Sequence, residues 1–465
     1  MELKDELTAL VNELDRVHSG AIPWRDEFEM PDFVTATNGM QRHFTRNARK
    51  NLMRLSRVMH SNRPRSSPKI ELENYEKIVR QVVANMHAEG EFEDFCKTGD
   101  RTAIKKMKAS IEEQIGSIVQ EYTHYFSAWT VGLERQSPFT IGPVRFLTRN
   151  QWIDSVDFSE SAKERFLDSP EANARWKELL KEALLKPRDL APLEGLAGVV
   201  YGAVSECPSL LEVTICGYEK EYSRKLAKLV CKTALDAVSL SLGAAEFFHQ
   251  QAIQEERLPP VASSSLMGSN GFLWLPGISL SKRIPHLSAT RTATALADME
   301  NILPAFASIL HGLVNPAGHK YPKLANRWAT ALDWFGEGNR ESSDAIALAK
   351  LGTCLDVLSC GGKYIGISQM VAHLTGIGED TQVIQEPMPR TLKLLVKDIY
   401  DDGRSKILHG TYFDRLESFD RERKHAAHLA RVVLIESALR LEHYIGDDDD
   451  EAFRAMPKPK TISAG

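Results

Sequence analysis

The sequence predicts a mainly α-helical protein whose larger N-terminal region is α+β and contains a few short strands. Apolar residues recur at helical spacing in several long segments, among them 345–358 and 422–444. Two shorter segments, FTIGPVRFLT at 139–148 and LLEVTICGY at 210–218, have the alternating or continuous apolar character of strands. A chain of 465 residues exceeds one compact core of ordinary size, so two or three domains are expected.

Composition and turn signals divide the chain further. Pro, Asn and Gly near position 320 separate the last helices from the rest. The four consecutive Asp residues at 447–450 and the segment PKPKTISAG at 457–465 indicate a disordered end. The predicted segments are a helical N-terminal region (1–135) with a basic part (33–70), an α+β middle region (136–320), a helical domain (322–445) and a disordered tail (446–465).

Each predicted helix is a segment in which apolar residues repeat every three or four positions. One such helix lies inside the basic part, where Phe44, Ala48, Leu52, Leu55 and Met59 share a face. The other predicted helices cover residues 1–18, 104–129, 172–185, 222–251, 293–313, 324–335, 343–358, 392–399 and 422–444.

The strand predictions rest on turn-forming residues as well as on the pattern of apolar residues. Gly142-Pro143 is expected to make a turn inside 139–148, and 210–218 is the strongest strand candidate. Residues 259–285 are rich in Pro, Gly and Ser, which predicts an extended loop or a hairpin.

Charge and cysteine content limit the classes of function. A formal net charge of −5 argues against nucleic-acid binding by the whole surface, so any contact with RNA must be local. The first 16 residues have a charged amphipathic pattern without the apolar centre of a signal peptide. The six cysteines are scattered without C-x-x-C spacing, which argues against a zinc site or a disulfide framework. We therefore expect a cytoplasmic protein that makes no membrane contact.

The basic part at 33–70 contains no Asp or Glu and carries nine Arg and Lys residues. Two interpretations of this cationic helix stay open. In the first interpretation, the positive face of the helix binds RNA phosphates, and Arg42, Arg46, Arg49 and Lys50 are the candidate contacts. Alternatively, the helix is a solvated element that pairs with the acidic stretch at 71–94.

The segment with the best candidate catalytic residues is 392–410, LKLLVKDIYDDGRSKILHG. Residues 392–399 have one apolar face, after which Asp-Asp-Gly at 401–403 is expected to interrupt the helix. Arg404 and His409 follow. A guanidinium can bind phosphate oxygens and an imidazole can transfer a proton near neutral pH, so this pair suits phosphodiester chemistry.

Spacing alone does not distinguish this pair. With 14 His in 465 residues, about three Arg–His pairs with four to six intervening residues are expected by chance. The pairs found are Arg54/His60, Arg80/His87, Arg404/His409, Arg421/His428 and Arg423/His428.

The surroundings of Arg404 and His409 resemble the HEPN superfamily, most closely its ApeA-like branch. An apolar helix leads into R-S-K-I-L-H-G, and a long amphipathic helix follows. Upstream lie Trp334-Phe335 and an apolar helix that contains Asp356, at a place where the family carries an acidic residue, often Glu. The resemblance covers about 322–445, roughly the last quarter of the chain.

The resemblance implies a small helical bundle and a metal-independent endoribonuclease without a cofactor. His409 would serve as general acid or base and Arg404 would stabilise the phosphoryl oxygens. Asp356 would orient one of them, Ser405 would add a hydrogen bond, and Lys406 would join the RNA contacts. The implied products are a 2′,3′-cyclic phosphate and a 5′-hydroxyl, and the implied role is that of a toxin or abortive-infection effector against phage.

Helix geometry also predicts a homodimer through 322–445. On a continuous α-helix, five positions place Arg404 and His409 about 140° apart, which is poor geometry for one phosphate. A two-fold axis would bring a second pair opposite the first. The remaining N-terminal region would sense a phage-derived or cellular trigger.

Two alternatives stay open. Structurally, Arg404 could pair with Asp401 or Asp402, while His409-Gly410 is an ordinary helix C-terminus. Functionally, the last domain could be a non-catalytic HEPN-like module that dimerises or binds nucleotide or RNA.

Overall fold

The structure is a computed structural model, and it forms two compact units. One unit comprises Met1–Thr123 with Thr214–Leu226, and the other comprises His124–Val213 with Ala227–Gly465. The predicted boundary near 320 lies inside the second unit. The residues described are 3–19, 32–64, 67–98, 101–136, 139–165, 170–185, 193, 195–256, 262–265, 267–273, 277–280, 287–386, 388–411, 416 and 418–458.

The first unit is mainly helical and has its own apolar core. Its α-helices are Leu3–His18, Arg46–Ser61, Leu72–Ala88, Glu93–Thr98 and Thr102–Ile118, and Phe33–Thr35 pairs antiparallel with Gln41–His43. The apolar face predicted for the basic helix is confirmed, because Ala48, Leu52, Leu55 and Met59 are buried. Thr45 caps this helix by accepting a hydrogen bond from the backbone N–H of Ala48 at 3.2 Å.

The second unit combines a small sheet with many helices. The sheet has the strand order Phe139–Ile141, Val144–Thr148, Ser209–Tyr218, Gln120–Trp129 and Ala252–Ile253. Residues 120–123 and 214–218 of these strands are assigned to the first unit. The predicted turn is confirmed, since Ile141 pairs with Val144 across Gly142-Pro143 and Gly142 has a φ of 54°. The predicted hairpin near 259–285 is present as antiparallel Ala262–Ser265 and Gly277–Leu280 with a short inner pair, Gly268–Ser269 and Phe272–Leu273. Residues 257–261, 266, 274–276 and 281–286 lie outside the described part.

The helices that precede the C-terminal bundle begin and end as follows. They are Arg149–Ser155, Glu160–Arg165, Pro170–Ala174, Trp176–Leu185, Gly195–Val204, Lys220–Leu242, Glu246–Gln250 and Ala289–Asp298. A 3₁₀ turn occurs at Leu133–Arg135 and another at Gln254–Glu256. Lys220–Leu242 spans the division between the two units.

The C-terminal bundle confirms the mainly helical prediction. It consists of Leu303–Val314, Pro322–Arg340, Asp344–Leu358, Lys363–Thr375, Leu392–Lys397, Asp398–Ser405, Lys406–Leu408 and Asp420–Glu442, with a short antiparallel pair Gln382–Ile384 and Arg390–Thr391. Trp328 is buried at the centre, where its indole N–H donates to the carbonyl of Leu434 at 2.8 Å and its ring packs on Phe306. Apolar burial of this kind is the main source of bundle stability.

Several predicted helices have different limits in the structure. The helix predicted over 172–185 is two short helices, Pro170–Ala174 and Trp176–Leu185. The helix predicted over 104–129 ends at Ile118, and Gln120–Trp129 is a strand, because its aromatic and β-branched side chains alternate between the two faces of a sheet. The helix predicted over 222–251 ends at Leu242, where Gly243 has a φ of 89°. The helix predicted over 293–313 is two helices, since Pro304 is compatible only with a first turn.

The first part of the predicted disordered tail is instead packed on the C-terminal bundle. Phe453 and Met456 are fully buried, and the guanidinium of the buried Arg440 donates to the carbonyl of Met456 at 2.7 Å. Asp448 accepts hydrogen bonds from the first-turn N–H groups of Lys323 and Leu324. Residues 446–456 are therefore part of the bundle, and 459–465 lie outside the described residues.

Among the described helices, none is both long enough and apolar enough to span a membrane alone. Asp344–Leu358 and Lys363–Thr375 meet the length and apolarity of a span only when taken together, and a bend of 72° separates them.

Candidate active site

The site is carried by the segment that follows Arg390–Thr391. Helix Leu392–Lys397 begins at Thr391, whose hydroxyl accepts a hydrogen bond from the N–H of Leu394 at 3.3 Å. Leu392, Leu395, Val396 and Ile399 are buried, which confirms the predicted apolar face.

The expected interruption at 401–403 is wrong, because the chain continues as a π-helix over Asp398–Ser405. Gly403 is buried inside this element, and a Cβ built on it would lie only 2.7 Å from Cδ2 of Leu348. The glycine therefore permits close packing against helix Asp344–Leu358 rather than a break. π-Helical turns are uncommon in proteins as a whole, but those that occur are often found at functional sites.

Arg404 lies where the π-helix faces helix Asp344–Leu358. Its Nη2 is 3.3 Å from Oδ2 of Asp356, and its Nη1 donates to the hydroxyl of Tyr400 at 3.4 Å. The guanidinium also lies over the Tyr400 ring, 5.1 Å from the centroid. Arg404 thus pairs with Asp356 and not with Asp401 or Asp402, the partners considered in the structural alternative.

The Arg404–Asp356 pair is largely enclosed but keeps unused hydrogen-bonding capacity. The side chains are 21% and 18% exposed. Among the described residues, neither Nε of Arg404 nor Oδ1 of Asp356 has a hydrogen-bond partner, although both atoms are buried. Burial raises the pKa of Asp356 above its usual range, and the charge of Arg404 opposes that rise. The enclosed pair therefore leaves two buried polar atoms unsatisfied by the residues described, which costs stability unless another polar group reaches them.

His409 ends the short helix Lys406–Leu408 and is exposed. Its N–H donates to the carbonyl of Ser405 at 2.9 Å, while Gly410 N–H donates to Ile407 and Thr411 N–H to Lys406. Gly410 has a φ of 66°, so the helix closes with a Schellman motif. The alternative prediction that a helix ends at His409-Gly410 is therefore confirmed. No hydrogen bond to the His409 ring comes from the described residues.

The other predicted contacts of the motif are less enclosed. Ser405 is half-buried, and its carbonyl takes part in the turn before His409. The Lys406 ammonium is 2.6 Å from Asp402, one helical turn earlier, and both side chains are about half exposed. This surface ion pair leaves Lys406 able to contact a polyanion.

Two residues of the site were not predicted from the sequence. Tyr400 precedes Arg404 by four positions, and that spacing could have indicated a contact. Gly352 faces Arg404 from the neighbouring helix, where a Cβ would lie 2.8 Å from the Cβ of Arg404. No signal in the sequence distinguishes Gly352 from any other helical glycine.

The basic residues predicted to bind RNA fall into two groups. Arg42 is half-buried and its Nε donates to Nδ1 of His87 at 2.8 Å, so Arg42 belongs to a local polar cluster. Arg46 and Lys50 are exposed on helix Arg46–Ser61, whereas Arg49 is half-buried.

The described residues contain no group of three or more His, Cys, Asp or Glu side chains that could hold a metal ion. Comparison of the chain with protein-family models, with curated proteins and with solved structures finds no match.

Proposed function

We propose that the C-terminal helices form a HEPN-type, metal-independent endoribonuclease. The observation that carries the proposal is the contact between Arg404 and Asp356, which brings the motif arginine to the acidic residue expected on helix Asp344–Leu358. Forty-seven residues separate the two in the chain, so their contact is a property of the bundle and not of local spacing. A guanidinium that is held by a carboxylate and whose side chain is still 21% exposed is suited to bind an anionic oxygen.

The proposed reaction uses the nucleophile that RNA carries. The 2′ oxygen attacks the adjacent phosphorus as its proton leaves, the bond from phosphorus to the 5′ oxygen breaks, and that oxygen gains a proton. His409, exposed at a helix end, transfers one of these protons. Arg404 stabilises the charge on the phosphoryl oxygens, and Asp356 holds Arg404 in place.

The wider role follows the same resemblance. We propose a toxin or abortive-infection effector in which the N-terminal region responds to a phage-derived or cellular trigger. A homodimer through 322–445 would supply a second His409, so that one histidine gives a proton and the other takes one. Sedimentation at micromolar concentration tests this, since a strictly monomeric chain that cleaves RNA would contradict the shared cleft.

The direct test is an RNA-cleavage assay of the purified full chain with and without EDTA. Cleavage should survive the chelator, because the proposed acid, base and cation are all side chains. Loss of cleavage in EDTA with recovery on adding a divalent cation would require a different mechanism. The absence of cleavage under all conditions, with a bound oligonucleotide, would favour the non-catalytic module.

Gly352→Ala is expected to slow RNA cleavage about 10- to 100-fold, the scale of a misplacement of about 1 Å. The added Cβ would lie 2.8 Å from Cβ and 3.2 Å from Cγ of Arg404. Arg404 must therefore shift relative to Asp356. The cleavage rate and the thermal transition are measured together.

Gly116→Ala is the matched control. Gly116 is exposed within helix Thr102–Ile118, and a Cβ there meets no atom within 4 Å. This variant should cleave at the wild-type rate and gain about 0.5–1 kcal/mol of stability from the helix preference of Ala over Gly. If Gly352→Ala cleaves RNA at the wild-type rate, the proposal that a correctly placed Arg404 stabilises the phosphoryl oxygens is contradicted.

A further inference from the structure

Helix Arg46–Ser61 exposes a row of basic residues, which we name the cationic stripe: Arg46, Lys50, Arg54 and Arg57. They lie at intervals of four, four and three positions. On an α-helix these positions fall within about 80° of one another around the axis and extend over about 16 Å along it. The row therefore occupies one side of the helix and presents a cation at nearly every turn.

The cationic stripe is not neutralised within the first unit as described. None of its members makes an ion pair or a side-chain hydrogen bond with a described residue. The acidic residues expected to pair with this helix have other partners: Glu71 contacts Lys225, Glu73 contacts Lys77 and Glu91 contacts Lys106. The prediction that the basic helix is balanced by the acidic stretch is therefore wrong for these carboxylates.

The exposed side of the helix is also free of large apolar groups. Its exposed residues are Arg46, Asn47, Lys50, Arg54, Arg57 and Ser61. The apolar face points into the core of the unit, with Leu52 and Leu55 fully buried. A helix that lies in a membrane surface needs its apolar face open to lipid. This helix offers only charge and hydrogen-bond donors, which suits a polyanion in water.

We propose that the cationic stripe binds the phosphodiester backbone of single-stranded RNA. The choice of RNA rests on the proposed nuclease function. Long Arg and Lys side chains at successive turns can each contact one phosphate of a strand that lies along the helix, which gives binding without base readout. This assignment adds Arg54 and Arg57 to the predicted contacts and leaves out Arg42, whose guanidinium contacts His87.

The test is RNA binding as a function of salt, measured by fluorescence anisotropy with a labelled 2′-O-methyl oligoribonucleotide. This probe lacks the free 2′ hydroxyl, so the full chain cannot cleave it by the proposed reaction. The variant replaces Arg46, Lys50, Arg54 and Arg57 by Gln. A matched control replaces four other exposed basic residues of the same unit by Gln, namely Lys4, Arg101, Lys105 and Lys108.

Four phosphate contacts contribute about −3 to the slope of log K against log salt for a single strand. The stripe variant should lose that contribution, whereas the control should keep it. Between 50 and 200 mM salt, wild type should therefore lose about 50-fold more affinity than the stripe variant. Thermal transitions of both variants should match wild type, because all substituted side chains are exposed.

Three results would overturn the proposal. These are an unchanged slope in the stripe variant, an equal loss in the control, or unchanged RNA binding with lost binding to vesicles that contain phosphatidylserine. The last outcome would assign the surface to anionic lipid. Failure of the nuclease proposal is distinguishable, since a chain that binds the probe through the stripe but cleaves no RNA contradicts only the nuclease. A chain that cleaves with an unchanged slope contradicts only the stripe.

Discussion

Arg404→Ala and His409→Ala should each lower RNA cleavage by at least about 100-fold. Loss of a general acid or base typically reduces a rate by about 10²- to 10⁴-fold, and loss of a group that stabilises transition-state charge has an effect of about 10²- to 10³-fold. The measurement is the rate of RNA cleavage by the purified full-length variants.

The two variants should differ in stability, and the structure gives the reason. His409 is exposed and its ring has no hydrogen-bond partner among the described residues, so His409→Ala should leave the thermal transition unchanged. Arg404→Ala leaves the half-buried carboxylate of Asp356 without its cation, which lowers the transition modestly. Asp356→Asn in the Arg404→Ala background should restore stability but not cleavage.

His428→Ala is the matched control for the histidine. His428 is also exposed, and it also stands in an Arg–His pair of permitted spacing, with Arg421. It should cleave at the wild-type rate. Full activity in His409→Ala, or equal losses in His409→Ala and His428→Ala, would contradict the assignment of the site.

Asp236→Ala should destabilise the second unit by about 3–5 kcal/mol, the usual effect of removing one partner of a buried ion pair. Asp236 is fully buried on helix Lys220–Leu242 and binds the guanidinium of Arg340. Arg340 is fixed in this position, because its Nε also donates to the carbonyl of Phe248 at 2.9 Å. Without the carboxylate, a largely enclosed guanidinium loses its main counter-charge.

Asp333→Ala is the control for this prediction. Asp333 contacts Lys232 at 2.6 Å, but its side chain is 56% exposed, so its loss should change the free energy of unfolding by less than about 1 kcal/mol. Both variants are compared by denaturant unfolding monitored by tryptophan fluorescence, to which the buried Trp328 contributes together with the six other tryptophans. Equal denaturation midpoints for the two variants would show that the Asp236–Arg340 pair does not make the predicted contribution to the free energy of unfolding.

Sequence reasoning predicted those elements whose periodicity is regular and whose ends are marked. The basic helix, the strand at 210–218 and the long final helix follow from apolar spacing, because burial imposes that spacing. The π-helix could not be predicted in this way. A spacing argument assumes 3.6 residues per turn, and Asp-Asp-Gly has the composition of a helix end. Only the packing of Gly403 on Leu348 shows why the helix continues.

The candidate site was predictable in its residue types but not in its contacts. Asp356 was expected on the upstream helix that is now seen as Asp344–Leu358, but only the packed bundle shows that its partner is Arg404 and not His409. The terminal segment was misread for a related reason. Its composition is polar, and a few anchors, chiefly the buried Phe453, tie it to the bundle. The average composition of a segment does not reveal that a single side chain, such as Phe453, is buried.

The measurement that tests the central claim most directly concerns the 2′ hydroxyl at the cleaved bond. The cleavage position is first mapped on an all-RNA oligonucleotide in EDTA, and the same oligonucleotide is then made with one 2′-deoxy nucleotide at that position. Mass spectrometry identifies the product ends. We expect a 2′,3′-cyclic phosphate and a 5′-hydroxyl from RNA, and no cleavage at the 2′-deoxy position. A 5′-phosphate product, or cleavage of the 2′-deoxy substrate at that bond, would contradict the proposed ribonuclease mechanism.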